Sequence, residues 1–127
     1  MSRPLSPHLQ IYRLPLEALT SIAHRLSGVA LSLGACVLVG WLWALANSEN
    51  CFNNLQKAFA SPLGRLCLFG WSLAFFYHLC AGVRHLIWDT GMALDKKSYR
   101  LSSYIVIGAA LILTIGVWVY IWPRIGT

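Results

Sequence analysis

Apolar residues come in three long blocks, at 26–46, 66–83 and 101–122, and none of the blocks contains Asp, Glu, Lys or Arg. A helix needs about 20 consecutive apolar residues to cross the hydrocarbon core of a bilayer. Extended to nearby capping residues, the blocks predict transmembrane helices at about 21–46, 63–88 and 101–122. Thr20 or Ser21 is placed to cap the first, Ser61 followed by Pro62 opens the second, and Ser102 or Ser103 is expected to cap the third. Residues 1–20 carry Pro4, Pro7 and Pro15 and read as an extended arm, because proline and the residue before it resist helix. Residues 47–61 form a polar connection with room for one short helical stretch at the surface, and residues 89–100 form a second polar link that holds Gly91. On the first span Gly28, Ser32, Cys36 and Gly40 recur every fourth residue, a stripe small enough for another helix to approach closely. The third span has no ionisable residue before Arg124 and reads as packing, with Trp118, Tyr120 and Trp122 near a membrane interface.

Composition agrees with this layout. Of 127 residues, 57% are hydrophobic and 11% charged, too apolar and too sparsely charged for a soluble domain. The mean hydropathy of +0.62 points the same way. The expected class is therefore an all-α integral membrane protein, one anchor domain spanning 1–127 with membrane lipid as its solvent. The formal charge of +6 does not indicate nucleic acid, since the basic residues sit at span ends and in short loops rather than on one patch. The charge speaks instead to orientation. Arg3, Arg13, Arg25, Arg84, Lys96, Lys97 and Arg100 fall on one side, and Lys57, Arg65 and Arg124 on the other. The positive-inside rule then puts the N-terminus on the cytoplasmic or mitochondrial matrix side. Cys36, Cys51, Cys67 and Cys80 stand isolated with no C-x-x-C pair, which argues against zinc, an iron-sulfur cluster or a disulfide framework in this chain. The first twenty residues lack the apolar core of a signal peptide, so the first span is expected to start insertion.

His78 is the sharpest chemical signal. At about 1.5 Å per residue it lies about 15 Å from Trp88 and about 18 Å from Leu66, near mid-membrane. An imidazole there costs transfer free energy unless a partner satisfies it. His78, Gly82, His85 and Asp89 are spaced by four, three and four and so share one helical face. Gly82 leaves a gap where a flat ring can approach, and His85 with Arg84 lies at the depth where haem propionates would meet water. A haem fits this spacing; an interhelical hydrogen bond or a proton-path residue fits His78 alone. A six-coordinate haem needs two axial ligands, and no other span holds a histidine, so the second would come from another chain. His8 and His24 lie outside the spans or at a span end.

Ser21, His24 and Arg25 form a second constellation where the first helix enters the membrane. Ser21 and Arg25 share a face, and a hydroxyl with a guanidinium at that depth can hydrogen-bond a quinone carbonyl. The same two residues also read as a helix cap and a positive-inside anchor.

Three segments, RPLSPHLQIY (3–12), SIAHRLSG (21–28) and YHLCAGVRHLIWD (77–89), in this order and on a three-span layout, resemble the cytochrome b556 subunits of succinate dehydrogenase, respiratory complex II. The resemblance covers essentially the whole chain. It implies half of a haem-binding helical bundle, with His78 an axial ligand of the haem b iron and the other axial histidine supplied by a second, smaller hydrophobic anchor subunit. It also implies that Ser21 and Arg25 line the ubiquinone pocket and that His24, Arg25 and His85 lie near the haem propionates. Flavoprotein and iron-sulfur subunits would dock on the inner side, the latter against the N-terminal arm. Flavin, iron-sulfur clusters and the succinate site would all lie in those partner chains. A bacterial inner membrane is expected, or a mitochondrial inner membrane if the gene is organelle-encoded. The anchor of a quinol:fumarate reductase would use the same parts in the opposite direction. A small transporter with a proton-relay histidine would need the repeats and broken helices that this sequence lacks.

Overall fold

The computed structural model describes residues 4, 13–92 and 94–125, and these are helical apart from short connections. The described residues form four helices, α1 (Leu16–Asn47), α2 (Glu49–Ala60), α3 (Pro62–Asp89) and α4 (Lys96–Ile125). Three of them, α1, α3 and α4, are long and apolar enough to cross a membrane. The protein is a multi-pass membrane protein, with the start of α1 and the α3–α4 link at one end of the bundle and α2 at the other.

The helix starts differ from expectation at two places. Helix α1 begins at Leu16 rather than near residue 21, with Pro15 at the N-cap and its carbonyl accepting from Ala18 and Leu19. Proline holds an extended backbone there and disfavours helix at Leu14 before it, so the helix starts where the proline allows. Thr20 therefore caps nothing; its hydroxyl donates to the Glu17 carbonyl. Helix α4 likewise begins at Lys96, where Asp95 accepts from the Ser98 amide through its side chain at 3.0 Å and from Tyr99 through its carbonyl. Ser102 and Ser103 lie inside the helix and donate back to the Tyr99 carbonyl. Apolarity marks the part of a helix that lipid solvates, and the polar turns beyond it are invisible to that criterion.

The other end follows the sequence closely. Ser48 ends α1 through its amide to Ala44 and opens α2 by accepting from Cys51. Ser61 caps α3, accepting from Gly64 at 3.1 Å, with Pro62 in the first turn. The short surface helix allowed for in the connection is α2, twelve residues long.

The bundle is assembled inside out relative to a soluble protein. Buried apolar residues are Ala44, Ala81, Val106 and Ala110, and the buried polar ones are Thr20, Ser27, Arg84, Ser103 and Thr114. Large apolar side chains point outward: Ile112 is 73% exposed and Leu63 70%. Lipid tails compete with leucine for leucine, so helices in a bilayer associate through small residues and interhelical hydrogen bonds. Helix α3 sits between α1 and α4 and packs most extensively on α4. Trp118 takes part in this packing, donating to Ser72 on α3 at 3.1 Å and meeting Phe69 in a T-shaped ring contact. Tyr120 and Trp122 are exposed, as an interfacial position requires. Against α1, Trp71 lies where any Cβ at residue 34 would overlap its indole, so Gly34 lets the two helices close. The expected small-residue stripe is only partly used within the chain. Gly28 touches α3, whereas Ser32, Cys36 and Gly40 face outward. All four cysteines are free thiols.

Candidate functional site

His78 projects from α3 about 4 Å from that helix's midpoint. Its Nδ1 lies 3.1 Å from Ser27 Oγ and 3.3 Å from the His24 carbonyl on α1. Ser27 has already committed its own proton to the His24 carbonyl at 2.7 Å, so its oxygen accepts from the imidazole. This pattern assigns the proton to Nδ1 and leaves the Nε2 lone pair of His78 for another partner. A ring with one nitrogen tied to backbone and the other a free donor is how histidine is presented to a metal.

Gly28 makes the approach possible. A Cβ there would sit 3.2 Å from His78 Cε1, tighter than ordinary contact, so only a bare backbone lets α1 pass the ring at this distance. Along α3 the neighbouring face is open. A Cβ on Gly82 would meet nothing within 4 Å, and Leu79 and Leu86 flank it exposed. The expected gap one turn from His78 is thus present, as space on the outer surface of the bundle.

Three imidazoles meet here. The His24 ring centroid lies 4.4 Å from that of His78 and 4.9 Å from that of His85. His85 donates through Nδ1 to the Ala81 carbonyl at 2.7 Å and packs edge-on to Trp88. The Nε2 of His24 is buried without a hydrogen-bond partner among the described residues. An unsatisfied buried polar atom is rare and calls for a partner from outside the chain. Asp89, which shares the face of His78 and His85, is exposed at the helix end.

Ser21 and Arg25 lie on α1 one turn apart, next to the inward face that carries Thr20, His24 and Ser27. Ser21 is half-buried, Arg25 exposed, and neither side chain has a hydrogen bond or ion pair within the described chain. Both are held on a fixed helix with their donors uncommitted.

Arg84 departs from expectation. It turns inward to 4% exposure rather than onto the open face of α3. Nη1 donates to Ser103 on α4 at 2.9 Å, Nη2 approaches Thr20 on α1 at 3.4 Å, and the guanidinium lies 4.6 Å from the Trp88 ring centroid. Tyr77 adds a second tie to the same residue, donating to the Thr20 carbonyl at 2.8 Å. Arg84 is therefore no surface anchor, and the positive-inside imbalance rests on the remaining basic residues. Ser27 was legible as a residue on the face of His24, three positions away; Thr20 and Ser103 carried no comparable signal. The arm at residues 5–12, including His8, lies outside the described residues.

Comparison with known proteins bears on this site. Residues 1–117 match the profile of the succinate dehydrogenase/fumarate reductase transmembrane subunit family. The chain is 41% identical over 117 residues to a succinate dehydrogenase cytochrome b556 subunit of Rickettsia felis, covering 92% of this chain and 91% of that protein. A cytochrome b556 subunit of Paracoccus denitrificans is 42% identical over 114 residues, 90% of this chain and 88% of that protein. A succinate dehydrogenase cytochrome b560 subunit of Reclinomonas americana is 36% identical over 124 residues, with 94% and 86% covered.

Proposed function

The chain belongs to the succinate dehydrogenase/fumarate reductase transmembrane subunit family, and from that membership we propose that it is the cytochrome b anchor of a succinate:ubiquinone oxidoreductase. It would hold one haem b against a second anchor subunit and contribute part of the site where ubiquinone is reduced. The observation that carries the reading is His78: an intramembrane imidazole whose Nδ1 is committed to Ser27 and the His24 carbonyl, whose Nε2 has no hydrogen bond among the described residues, and which sits one turn from the open space at Gly82.

The residues present fit a haem. His78 would ligate the iron through Nε2, Gly82 would leave room for the porphyrin plane, and the unsatisfied Nε2 of His24 suits a propionate carboxylate. His85, with Nδ1 already engaged, would need a proton on Nε2 to donate to the other propionate, and exposed Arg25 is the fixed cation nearest on α1. When bound, such a group supplies a one-electron store between iron-sulfur clusters of a partner subunit and the quinone. The chain's own contribution is positional and electrostatic. Ser21 and Arg25, with uncommitted donors at the membrane edge, would bind a quinone carbonyl and stabilise the negative charge that develops there. Preorganised donors cost nothing to arrange at the moment of reaction. Flavin, clusters and succinate would belong to the partner subunits on the side of the α1 start, the inner side by the distribution of basic residues. A bacterial inner membrane is the location this reading favours.

Two tests separate the halves of the proposal. His78→Ala should abolish or greatly weaken the b-type absorbance of the purified complex; a full haem spectrum would remove the ligand assignment. Ser21→Ala and Arg25→Leu should impair succinate:quinone activity while succinate oxidation by an artificial dye acceptor persists. Equal loss of both would point to assembly instead of quinone binding.

A further inference from the structure

Arg84 is an ionisable side chain inside a span that the proposed site leaves without a task, and it is buried, with 4% exposure. A guanidinium removed from both water and lipid costs several kcal/mol unless paired. The described ion pair joins Arg100 to Glu17, and none involves Arg84. What it has instead is one contact to each span: Ser103 on α4, Thr20 on α1 and Trp88 on its own helix. Its Nε has no hydrogen-bond partner among the described residues. An arrangement that tolerates an orphaned donor and an unpaired charge is held for its geometry, since a leucine of similar bulk would stabilise the fold more cheaply.

The geometry concerns the rotation of α1. Thr20 is tied three ways: its hydroxyl donates to Glu17, accepts from Arg84, and its carbonyl accepts from Tyr77. It lies one residue before Ser21 and one turn before His24. Turning α1 about its axis moves both faces at once, the one that gives Ser27 and the His24 carbonyl to His78, and the adjacent one that presents Ser21 and Arg25. Lipid-facing α1 is apolar nearly all round, so its rotation is set by specific contacts, that of Thr20 with Arg84 near its start beside the close approaches at Gly28 and Gly34.

We propose that Arg84 is a positioning residue: through Thr20 and Ser103 its guanidinium sets the rotation of α1, and thereby both the orientation of the His78 ring and the placement of Ser21 and Arg25 for quinone. This rests on the reading of those residues given above. Arg84→Gln, Thr20→Val and Ser103→Ala are compared in the purified complex. Thr20→Val keeps the volume and the carbonyl that Tyr77 bonds but cannot accept from Arg84. Arg84→Gln and Thr20→Val should raise the KM for a short-chain ubiquinone by about tenfold, the factor equivalent to about 1.4 kcal/mol. The maximal rate should be little changed. Both should also shift the low-spin haem signal in electron paramagnetic resonance, which reports the axial ring orientation, with haem content preserved. Ser103→Ala should do the same to a smaller degree.

Wild-type KM and an unshifted haem signal in assembled Arg84→Gln and Thr20→Val complexes would overturn the proposal. If Arg84→Gln does not assemble, Thr20→Val alone decides by the same two readouts. Ser21→Ala serves as the control: it should raise KM without moving the haem signal. Should it leave KM untouched while Arg84→Gln still moves the signal, the quinone reading falls and the positioning of α1 stands.

Discussion

Gly28 offers a perturbation whose two consequences have opposite sign. In isolation, replacing a glycine inside a long helix by alanine favours the helix by about 1 kcal/mol, because less backbone entropy is lost on folding. Residue 28 is twelve positions into the 32-residue α1, so that gain should apply in full. The new methyl, however, arrives 3.2 Å from His78 Cε1, where ordinary contact begins a few tenths of an ångström farther away. The ring must yield by that amount. Its Nδ1 contacts are 3.1 Å to Ser27 and 3.3 Å to the His24 carbonyl, so a shift of this size takes the second beyond hydrogen-bond range and weakens the first. One net hydrogen bond is worth about 1 kcal/mol, comparable to the propensity gain. Gly28→Ala should therefore leave thermal stability of the complex within about 1 kcal/mol of the wild type while displacing the His78 ring. Gly28→Leu cannot be absorbed in this way and should drive the imidazole out of line. The assay is haem content per complex from the reduced-minus-oxidised spectrum, together with the low-spin paramagnetic signal. Alanine should retain haem with an altered signal, and leucine should lose it. Full haem with an unaltered signal in Gly28→Leu would refute the claim that α1 and the His78 ring meet at residue 28.

The remaining predictions address the opposite side of His78 and the start of α4. Gly82→Leu should expel haem without disturbing the chain's own packing, since a Cβ there meets nothing within 4 Å; retained absorbance would place the porphyrin elsewhere. Asp95 accepts from Ser98, and hydrogen bonds from the Ser98 hydroxyl first and its amide second hold the carboxyl below the ordinary carboxylate range. A carboxyl depressed in the folded state stabilises above its unfolded pKa and loses that contribution as pH falls through the folded one. The protection of the Ser98 and Tyr99 amides against exchange, taken relative to their intrinsic rates, should therefore fall as the solution is acidified below the usual aspartate range, and Asp95→Asn should remove most of that pH dependence. Protection that varies with acid alike in both proteins would rule out the cap.

Much of the anchor was legible before any coordinates. Three spans, the corner at Ser61–Pro62 and the intramembrane His78 follow from transfer free energy and local capping, which act over one segment at a time and need no knowledge of what packs against it. The four-three-four spacing of His78, Gly82, His85 and Asp89 placed an open face beside the imidazole for the same reason: helical geometry alone decides which residues share a side. What stayed hidden was the rotation of each helix about its axis. In water a polar face would disclose it, but in lipid the outward face is as apolar as the inward one, so periodicity is nearly silent. That is why Arg84, read beside His85 at the depth of water, proved to be the buried tie among α1, α3 and α4, why the bond from Trp118 to Ser72 gave no advance sign, and why Thr20 read as a cap and proved to be a hub. The pairing of His24 and Ser27 with the His78 ring is of the same kind, a meeting of residues about 50 positions apart in sequence. Such meetings depend on small side chains letting backbones close and on donors finding acceptors across helices, and only the assembled bundle determines them.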